Sequence, residues 1–357
     1  MHEPIGTETS FQDQEITIQD SSLVALAIDE GEGGRYVYLA DASQNKIHFI
    51  SQDDLTNRKN ISVAGMPIAM DTTATGDKLV VATDGDTPSV HVIDVNEDLI
   101  EINGSIPLDA GSTPTSIYVV SVNNENHIYV GIQNGDSGKA ILRYNLSSDG
   151  WPKMSNFSNV DGYIAGRSHN RSVIYTSDQG QASEHGDEPV ISKWDITNDS
   201  PQLLISGAIF GVGAKKSGWV LSVPPENNQI ILYGRGVEGE DGSVFYDGMA
   251  PLYDANSFIK DKDFSVEYQP IAAAVTFDGA RVIFAHNEIL LSGKGEKHDK
   301  TRADIHIFDI ASGEEFETDA IKTQDFVHTN GLAIGNNRTI YALLGRETAT
   351  KLGVYVR

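Results

Sequence analysis

The sequence predicts an all-β protein, a seven-bladed β-propeller of four-stranded antiparallel blades. Three observations support this prediction: a residue pair that recurs at blade-length intervals, apolar residues that alternate at strand spacing, and no segment with a convincing helical period. The clearest unit is 79–95, LVVATDGDTPSVHVIDV, in which two strand-like runs flank a turn and the second run ends on Ile93-Asp94.

An apolar residue, often aromatic, followed by a polar residue marks the repeat. The pairs begin at Ile50, Ile93, Tyr144, Trp194, Tyr253, Phe308 and Tyr355, the last of which is followed by Val356. Successive pairs are 43, 51, 50, 59, 55 and 47 residues apart, which brackets the length of a four-stranded propeller blade. We expect the aromatic members to pack between blades and the polar members to face turns.

Each unit divides into four strands, A to D. In the second unit these are PIAMDTT, KLVVATD, SVHVIDV and a strand near EINGSIPL. Tight A–B turns rich in Gly, Asn and Asp are evident in six of the seven units, at 30–34, 75–77, 123–126, 226–228, 278–280 and 335–337.

The ends of the chain predict how the ring closes. The last unit stops after its third strand, KLGVYVR, whereas residues 15–19, EITIQ, alternate like a strand near the start of the chain. We expect 15–19 to complete the last blade, because closure removes a long unpaired edge. Residues 1–14 are predicted to be a flexible leader, and residues 15–357 a single propeller domain.

Composition excludes several kinds of partner. The chain has 26 basic and 51 acidic residues, a net charge of −25, which disfavours nucleic acid and anionic lipid surfaces. No apolar stretch is long enough for a membrane helix, so membrane insertion is not expected. The chain has no cysteine, and this excludes disulfides and thiol catalysis.

The segment PIAMDTTATGDKLVVATDGDTPSVHVIDV resembles the YVTN-type repeat of surface-layer-like and lactonase-like propellers, and the resemblance extends over about the whole chain. It implies a propeller fold and an extracellular, cell-surface or periplasmic location. Residues 1–22 lack the basic start and apolar core of a signal peptide, so we expect that a leader has been removed.

Loop lengths predict the working surface. The A–B turns stay short, whereas the B–C connections grow from four residues in the first two units to QGQASEHGDEP, GVEGEDGSVFYDG and EILLSGKGEKHDKTRA in units four to six. Because long loops on a rigid scaffold commonly carry function, we expect the B–C/D–A face to bind a partner. The candidate binding residues there are Glu184, His185, Asp241, Tyr246 and His298.

Calcium is the cofactor that the residue types suggest. Glu238, Glu240 and Asp241 offer oxygen ligands in one loop, although their spacing fits no strict calcium-loop motif. The stretch HTNGLAIGNNRTIYALLG also resembles the Asn-Gly-Leu-Ala segment of gluconolactonase/regucalcin-type propellers. That resemblance implies Asn330 as a calcium ligand at the mouth of the central channel.

Histidines supply the catalytic candidates. Seven-bladed lactonases of the phosphogluconolactonase type use polar His, Glu and Arg residues, and a resemblance to them would implicate His328, His286 and Arg235. His48, His91 and His306 occupy equivalent positions of strand C in three units, and this regularity favours packing or exposure over metal ligation.

Two main functions remain open on the sequence, beside a third possibility, a scaffold subunit whose loops pack on a partner. The favoured hypothesis is a non-enzymatic, exported or surface propeller that binds a protein or a glycan. The alternative is a lactonase-like hydrolase that acts on a sugar lactone, with or without a metal ion. The chain lacks a Gly-x-Ser-x-Gly nucleophile motif and a phosphate-binding loop between a strand and a helix.

Overall fold

The computed structural model shows seven antiparallel blades around a central channel, which confirms the predicted seven-bladed β-propeller. No described segment forms a helix of the length and apolarity required to cross a membrane. The structure describes residues 12–29, 34–96, 99–123, 125–134, 138–154, 163–177, 190–198, 200–208, 218–224, 228–234, 237–238, 244–245, 249–266, 270–287, 290–291, 297–298, 303–315, 321–323, 325–335, 338–345 and 348–356.

The described elements are all β-strands. In chain order they are β1 Gln12–Thr17, β2 Leu23–Ile28, β3 Tyr36–Asp41, β4 Lys46–Ser51, β5 Arg58–Ser62, β6 Met66–Thr72, β7 Lys78–Asp84, β8 Ser89–Val95, β9 Ile100–Pro107, β10 Ser112–Val122, β11 Glu125–Asn134, β12 Lys139–Asn145, β13 Tyr163–Arg167, β14 Val173–Ser177, β15 Val190–Asp195, β16 Gln202–Ala208, β17 Gly218–Val223, β18 Gln229–Gly234, β19 Val237–Glu238, β20 Val244–Phe245, β21 Met249–Asp254, β22 Lys260–Ser265, β23 Ala272–Val275, β24 Arg281–Asn287, β25 Leu290–Leu291, β26 Lys297–His298, β27 Ala303–Asp309, β28 Ile321–Lys322, β29 Val327–Ile334, β30 Ile340–Leu344 and β31 Lys351–Val356.

The strands group into blades in chain order. Blades one and two are β2–β5 and β6–β9, and blade four is β13–β16. Blade five is β17, β18, β21 and β22, and blade six is β23, β24, β27 and β28. Blade three has β10–β12 and, within the described residues, a bridge between Tyr144 and Lys153 at the place of its outer strand.

Strands from both parts of the chain close the ring in blade seven. Its sheet is β29–β30–β31 with β1 outermost, and β1 pairs with β31 from Gln12 opposite Val356 to Thr17 opposite Lys351. The strand begins at Gln12, three residues before the predicted start, and takes in part of the predicted leader. An outer strand is paired on one side only, so its exposed residues 13–15 need no apolar character.

Seven apolar clusters hold the described residues together, one at each interface between neighbouring blades. Strand B contributes to two clusters at once: Leu79 and Val81 of β7 face blade one, whereas Val80 and Ala82 face blade three. This explains why B strands are continuously apolar in sequence, because both faces of the strand are buried.

The aromatic residues of the repeated pair lie in these interfaces, and all but one of them are buried. Tyr144, Tyr253, Phe308 and Tyr355 are at most 3% exposed. Trp194 was expected to be equally buried but is only partly so; its indole Nε1 donates to Thr176 Oγ1 at 3.0 Å. It lies where the pairing of β15 with β16 shifts register, so the outer strand covers it less regularly.

In blades four and six the polar residue of the pair caps the C–D turn. Asp195 Oδ1 accepts a hydrogen bond from the Thr197 amide at 2.8 Å, and Asp309 Oδ1 accepts one from the Ser312 amide at 2.7 Å. An Asp side chain that bonds the backbone two or three residues later fixes a turn, and this is the physical basis of the repeat.

The A–B turns use a similar device. Thr73 and Thr276 accept, through Oγ1, the amide hydrogens of Lys78 and Arg281 at 3.1 and 3.0 Å. Gly279 of the blade six turn has φ +66°, and a Cβ there would lie 1.8 Å from the Pro224 carbonyl oxygen of blade five. Only glycine fits both the backbone conformation and the contact.

Candidate functional site

The predicted binding loops fall largely outside the described residues. Six of the predicted site residues lie outside the described part of the chain: Glu184, His185, Arg235, Glu240, Asp241 and Tyr246. Glu238 and His298 are described in backbone only, in β19 and β26. The proposed calcium loop therefore stays a prediction.

Short hairpins extend two of these connections. In blade five, β19 pairs with β20 between strands B and C; in blade six, β25 pairs with β26 at the same place. Both hairpins belong to the B–C/D–A face, since they follow strand B and precede strand C. The B–C connections of blades five and six therefore each contain a short β-hairpin.

The two described catalytic candidates have separate surroundings. His286 is fully buried in strand B of blade six, where its ring stacks on that of His306 with centroids 4.7 Å apart. His328 is half-buried at the start of blade seven; burial lowers its pKa, while a hydrogen bond with the Gly345 backbone acts in the opposite direction. Asn330 lies in the same strand, β29, and its side chain is outside the described residues.

The central channel encloses a cavity of about 360 Å³. Its walls come from the inner strands β2, β6, β10, β13, β17 and β23, mostly from the middle of each strand. The volume is at the lower end of the range for small-molecule sites. Among the described side chains, His328 is not part of this wall.

An ion pair crosses the cavity wall from blade two to blade four. Asp71 accepts hydrogen bonds from Arg167 Nε at 3.0 Å and from Arg167 Nη2 at 3.1 Å, and both side chains are about nine-tenths buried. The amide of Val119, in the intervening blade three, also donates to Asp71 at 2.7 Å. One carboxylate therefore joins the inner strands of three blades.

A second arginine reinforces this junction. Arg171, in the A–B turn of blade four, is 3% exposed. Its Nη1 donates to the carbonyl oxygens of Thr72 in blade two and of Val119 in blade three, the latter at 3.3 Å. We call Asp71, Arg167 and Arg171 the channel clamp.

Two tyrosines line the cavity beside the clamp. Burial raises the pKa of Tyr118 to about 12; Asp71 adds to the rise, and Arg167 opposes it. Burial, together with Tyr118, also raises the pKa of Tyr233. Both phenols therefore stay protonated at neutral pH. The clamp charges bond to one another and to the backbone of neighbouring blades, and these bonds join blades two, three and four.

The sequence pointed to none of the clamp residues. A usable signal was present, since Asp71 and Arg167 are charged residues at the ends of otherwise apolar inner strands, IAMD and YIAGR. A charge in such a place requires a partner. The partner could not be named, because 96 residues separate the two side chains.

The outer rim carries an apolar groove of about 380 Å³ between blades four and five. Strand β16 forms one wall, and the C–D turn of blade five, including Phe258 and Ile259, forms the other. Ile259 is 69% exposed, and Leu203 and Leu204 at the start of β16 are 51% and 54% exposed. We call this feature the rim groove; the sequence analysis did not anticipate it.

Comparisons with known proteins establish the fold alone. No family model matches the chain, and no curated protein matches it. Among solved structures, the β-propeller domain of Cps50 (Swd1) from Myceliophteria thermophila is similar, with a TM-score of 0.65 and 8% sequence identity. The alignment covers 98% of this chain and 100% of that domain. The YVTN-type, lactonase-like resemblance remains a prediction.

Proposed function

We propose that this chain is an exported or cell-surface propeller that binds a protein or glycan partner through its B–C/D–A face. The fold is a β-propeller, and β-propeller domains commonly mediate protein binding. The choice of face and the export are our proposal, and the resemblance to surface-layer-like repeats supports the export.

The observation that carries the proposal is the difference between the two faces. On the A–B/C–D face, side chains of the turns satisfy the backbone of the same turns, as Thr73, Thr276, Asp195 and Asp309 do. On the opposite face, the B–C connections of blades five and six extend into extra hairpins. Groups that already bond within a turn offer little to a partner, whereas long connections offer polar and aromatic side chains.

The scaffold favours binding by such connections. Seven interface clusters and the channel clamp order the blades before a partner arrives, so little conformational entropy of the scaffold is lost on association. The net charge of −25 favours partners with neutral or basic surfaces over anionic ones.

A lactone hydrolase is less well supported by the described residues. That activity needs histidines or metal ligands that converge on one cavity. His286 is buried between blades, and His328 contacts the backbone of Gly345, so neither lines the channel cavity.

The test compares three variants of the full chain with the wild type. The first trims 237–247 to a four-residue turn. The second is Leu203→Asp with Leu204→Asp, on β16 beside the rim groove. The third is His328→Ala with Asn330→Ala. Binding is measured on a glycan microarray and by chemical cross-linking to proteins exported by the source cell. Lactone hydrolysis is measured with and without chelator.

Loss of binding in the trimmed protein alone is the expected result. Loss in the rim-groove variant alone would move the interface to the outer rim, between blades four and five. A chelator-sensitive lactonase activity that disappears only in the third variant would overturn the binding proposal. Thermal unfolding of each variant separates loss of binding from loss of fold.

A further inference from the structure

Three side chains with metal-binding groups meet in blade six. His286 lies in β24, and Asp304 and His306 lie in β27; in the strand register, His286 is opposite Asp304 and Phe284 is opposite His306. All three therefore point to the same side of the sheet, where Phe284 and Phe308 pack towards blade five. One potential ligand atom from each residue lies within 4.8 Å of the other two.

This group is buried. His286 is fully buried, Asp304 is 8% exposed, and the His306 side chain is 13% exposed. The two imidazole rings stack with an angle of 19° between their planes. Imidazoles and a carboxylate are costly to remove from water, and here three such groups meet in an otherwise apolar interface.

The hydrogen bonding of His306 gives a direct indication of a ligand. Its Nδ1 contacts Glu315 Oε1, a carboxylate oxygen that accepts the Nδ1 hydrogen. Its Nε2 is buried and has no hydrogen-bond partner among the described residues. Metal-bound histidines typically donate one ring N–H to a carboxylate and bind the metal through the other nitrogen.

Equivalent histidines in two other blades show what a packing role looks like. His91 of blade two contacts Ser105 Oγ through Nδ1 at 2.7 Å and the Ala64 carbonyl oxygen through Nε2 at 2.9 Å. His48 of blade one contacts Asp41 through Nε2 at 3.3 Å. Both histidines use Nε2 for a hydrogen bond, which His306 does not. His306 thus differs from its two equivalents in the hydrogen bonding of Nε2.

We propose that His286, Asp304 and His306 bind one divalent transition-metal ion of the zinc type. Two imidazoles and one carboxylate form a zinc ligand set that leaves a fourth position for water. The Asp304 and Glu315 carboxylates together balance the charge of a divalent ion in this buried place. Calcium is disfavoured, since it takes six to eight oxygen ligands.

The site has a defined place in the molecule. His286 is the second-last residue of β24, and Asp304 is the second residue of β27, so the ion joins strands B and C where the long B–C connection of blade six leaves and rejoins the blade. The ion would fix the base of that connection. This inference is independent of the partner-binding function, because a structural ion can be present whatever the face binds.

The experiment uses the full chain without a histidine tag, dialysed against EDTA and then titrated with ZnCl₂ or CaCl₂. Calorimetry gives affinity and stoichiometry, elemental analysis after gel filtration gives retained metal, and Co²⁺ provides visible absorption that reports nitrogen and oxygen coordination. The expected result is one equivalent of Zn²⁺, a rise in unfolding temperature with Zn²⁺, and no comparable effect of Ca²⁺.

Variants assign the residues. His306→Ala and Asp304→Asn are expected to lose the bound equivalent, and Glu315→Gln to weaken binding about 10- to 100-fold because it removes the carboxylate that orients His306. His91→Ala is the matched control and is expected to bind Zn²⁺ as the wild type does. Circular dichroism in EDTA establishes whether each variant folds. If His306→Ala does not fold, Asp304→Asn tests the site in its place.

Three results would overturn the proposal. The first is a wild-type protein that retains no Zn²⁺ equivalent after gel filtration. The second is full retention by His306→Ala or Asp304→Asn. The third is a loss of binding in His91→Ala equal to that in His306→Ala.

Discussion

Breaking the channel clamp at Asp71 is expected to cost the protein several kcal/mol of stability. Asp71→Ala removes the acceptor for two bonds from Arg167 and one from the Val119 amide, and it leaves a buried guanidinium without its carboxylate. Removing one partner of a buried ion pair destabilises by about 3–5 kcal/mol.

That free energy converts to a measurable shift in unfolding temperature. The unfolding entropy is about 2.1 cal/mol/K per residue, or about 0.75 kcal/mol/K for 357 residues. A loss of 3–5 kcal/mol then corresponds to a decrease of about 4–7 °C. Differential scanning calorimetry at pH 7 measures it, provided that the ring unfolds cooperatively.

An exposed Arg–Asp pair in the same chain is the matched control. Arg338 Nη2 lies 3.0 Å from Asp278 Oδ2, but the two side chains are 63% and 46% exposed. Arg338→Ala is expected to cost at most about 1 kcal/mol. A double-mutant cycle of Asp71→Asn with Arg167→Met then isolates the pair energy. The explanation fails if Asp71→Ala lowers the unfolding temperature no more than Arg338→Ala does.

Three further predictions concern closure, packing and pH. Ile16→Ala in β1, where Ile16 is 1% exposed, is expected to cost about 2–5 kcal/mol, whereas exposed Gln14→Ala is nearly neutral by thermal unfolding; equal effects would argue against closure by β1. Phe308→Ala is expected to cost about 3–5 kcal/mol and partly buried Trp194→Ala less in denaturant titrations; the reverse order would contradict the packing described. Burial raises the pKa of Asp41, but hydrogen bonds from Ser22 and Ser43 outweigh this effect and hold the pKa below its usual value. The stability from Asp41 is therefore present above about pH 4 and lost as pH falls below that; the acid decline in unfolding temperature should be shallower in Asp41→Asn, and an unchanged profile would refute this.

The sequence predicted the architecture because the repeat is local. Asp195 and Asp309 bond to turn residues two and three positions later, and the apolar B strands are also recognised within about ten residues. Each blade can therefore be predicted from its own segment of sequence. Closure by β1 was predictable for a different reason, because the last unit lacks one strand. The start at Gln12 was not, since an exposed outer strand has no apolar period.

The candidate sites were less predictable because they depend on contacts between blades or between strand faces. Asp71 and Arg167 meet only when the ring brings blades two and four together across blade three. His306 was recognised as equivalent to His48 and His91, but its role depends on His286, a residue of strand B that spacing alone did not relate to it. The rim groove depends on which face of β16 is left uncovered, and the sequence period does not encode that.

Closure by β1 also sets an order of events during synthesis. Glu15 and Lys351, which are joined by a 3.0 Å ion pair in blade seven, lie 336 residues apart in the chain. At about 5–20 residues per second, the ribosome needs roughly 17–67 s between the two. Blades one to six can form in turn while β1 has no strand to pair with. The ring closes only when β31 has left the ribosome, so the nascent propeller is an open arc until blade seven is made.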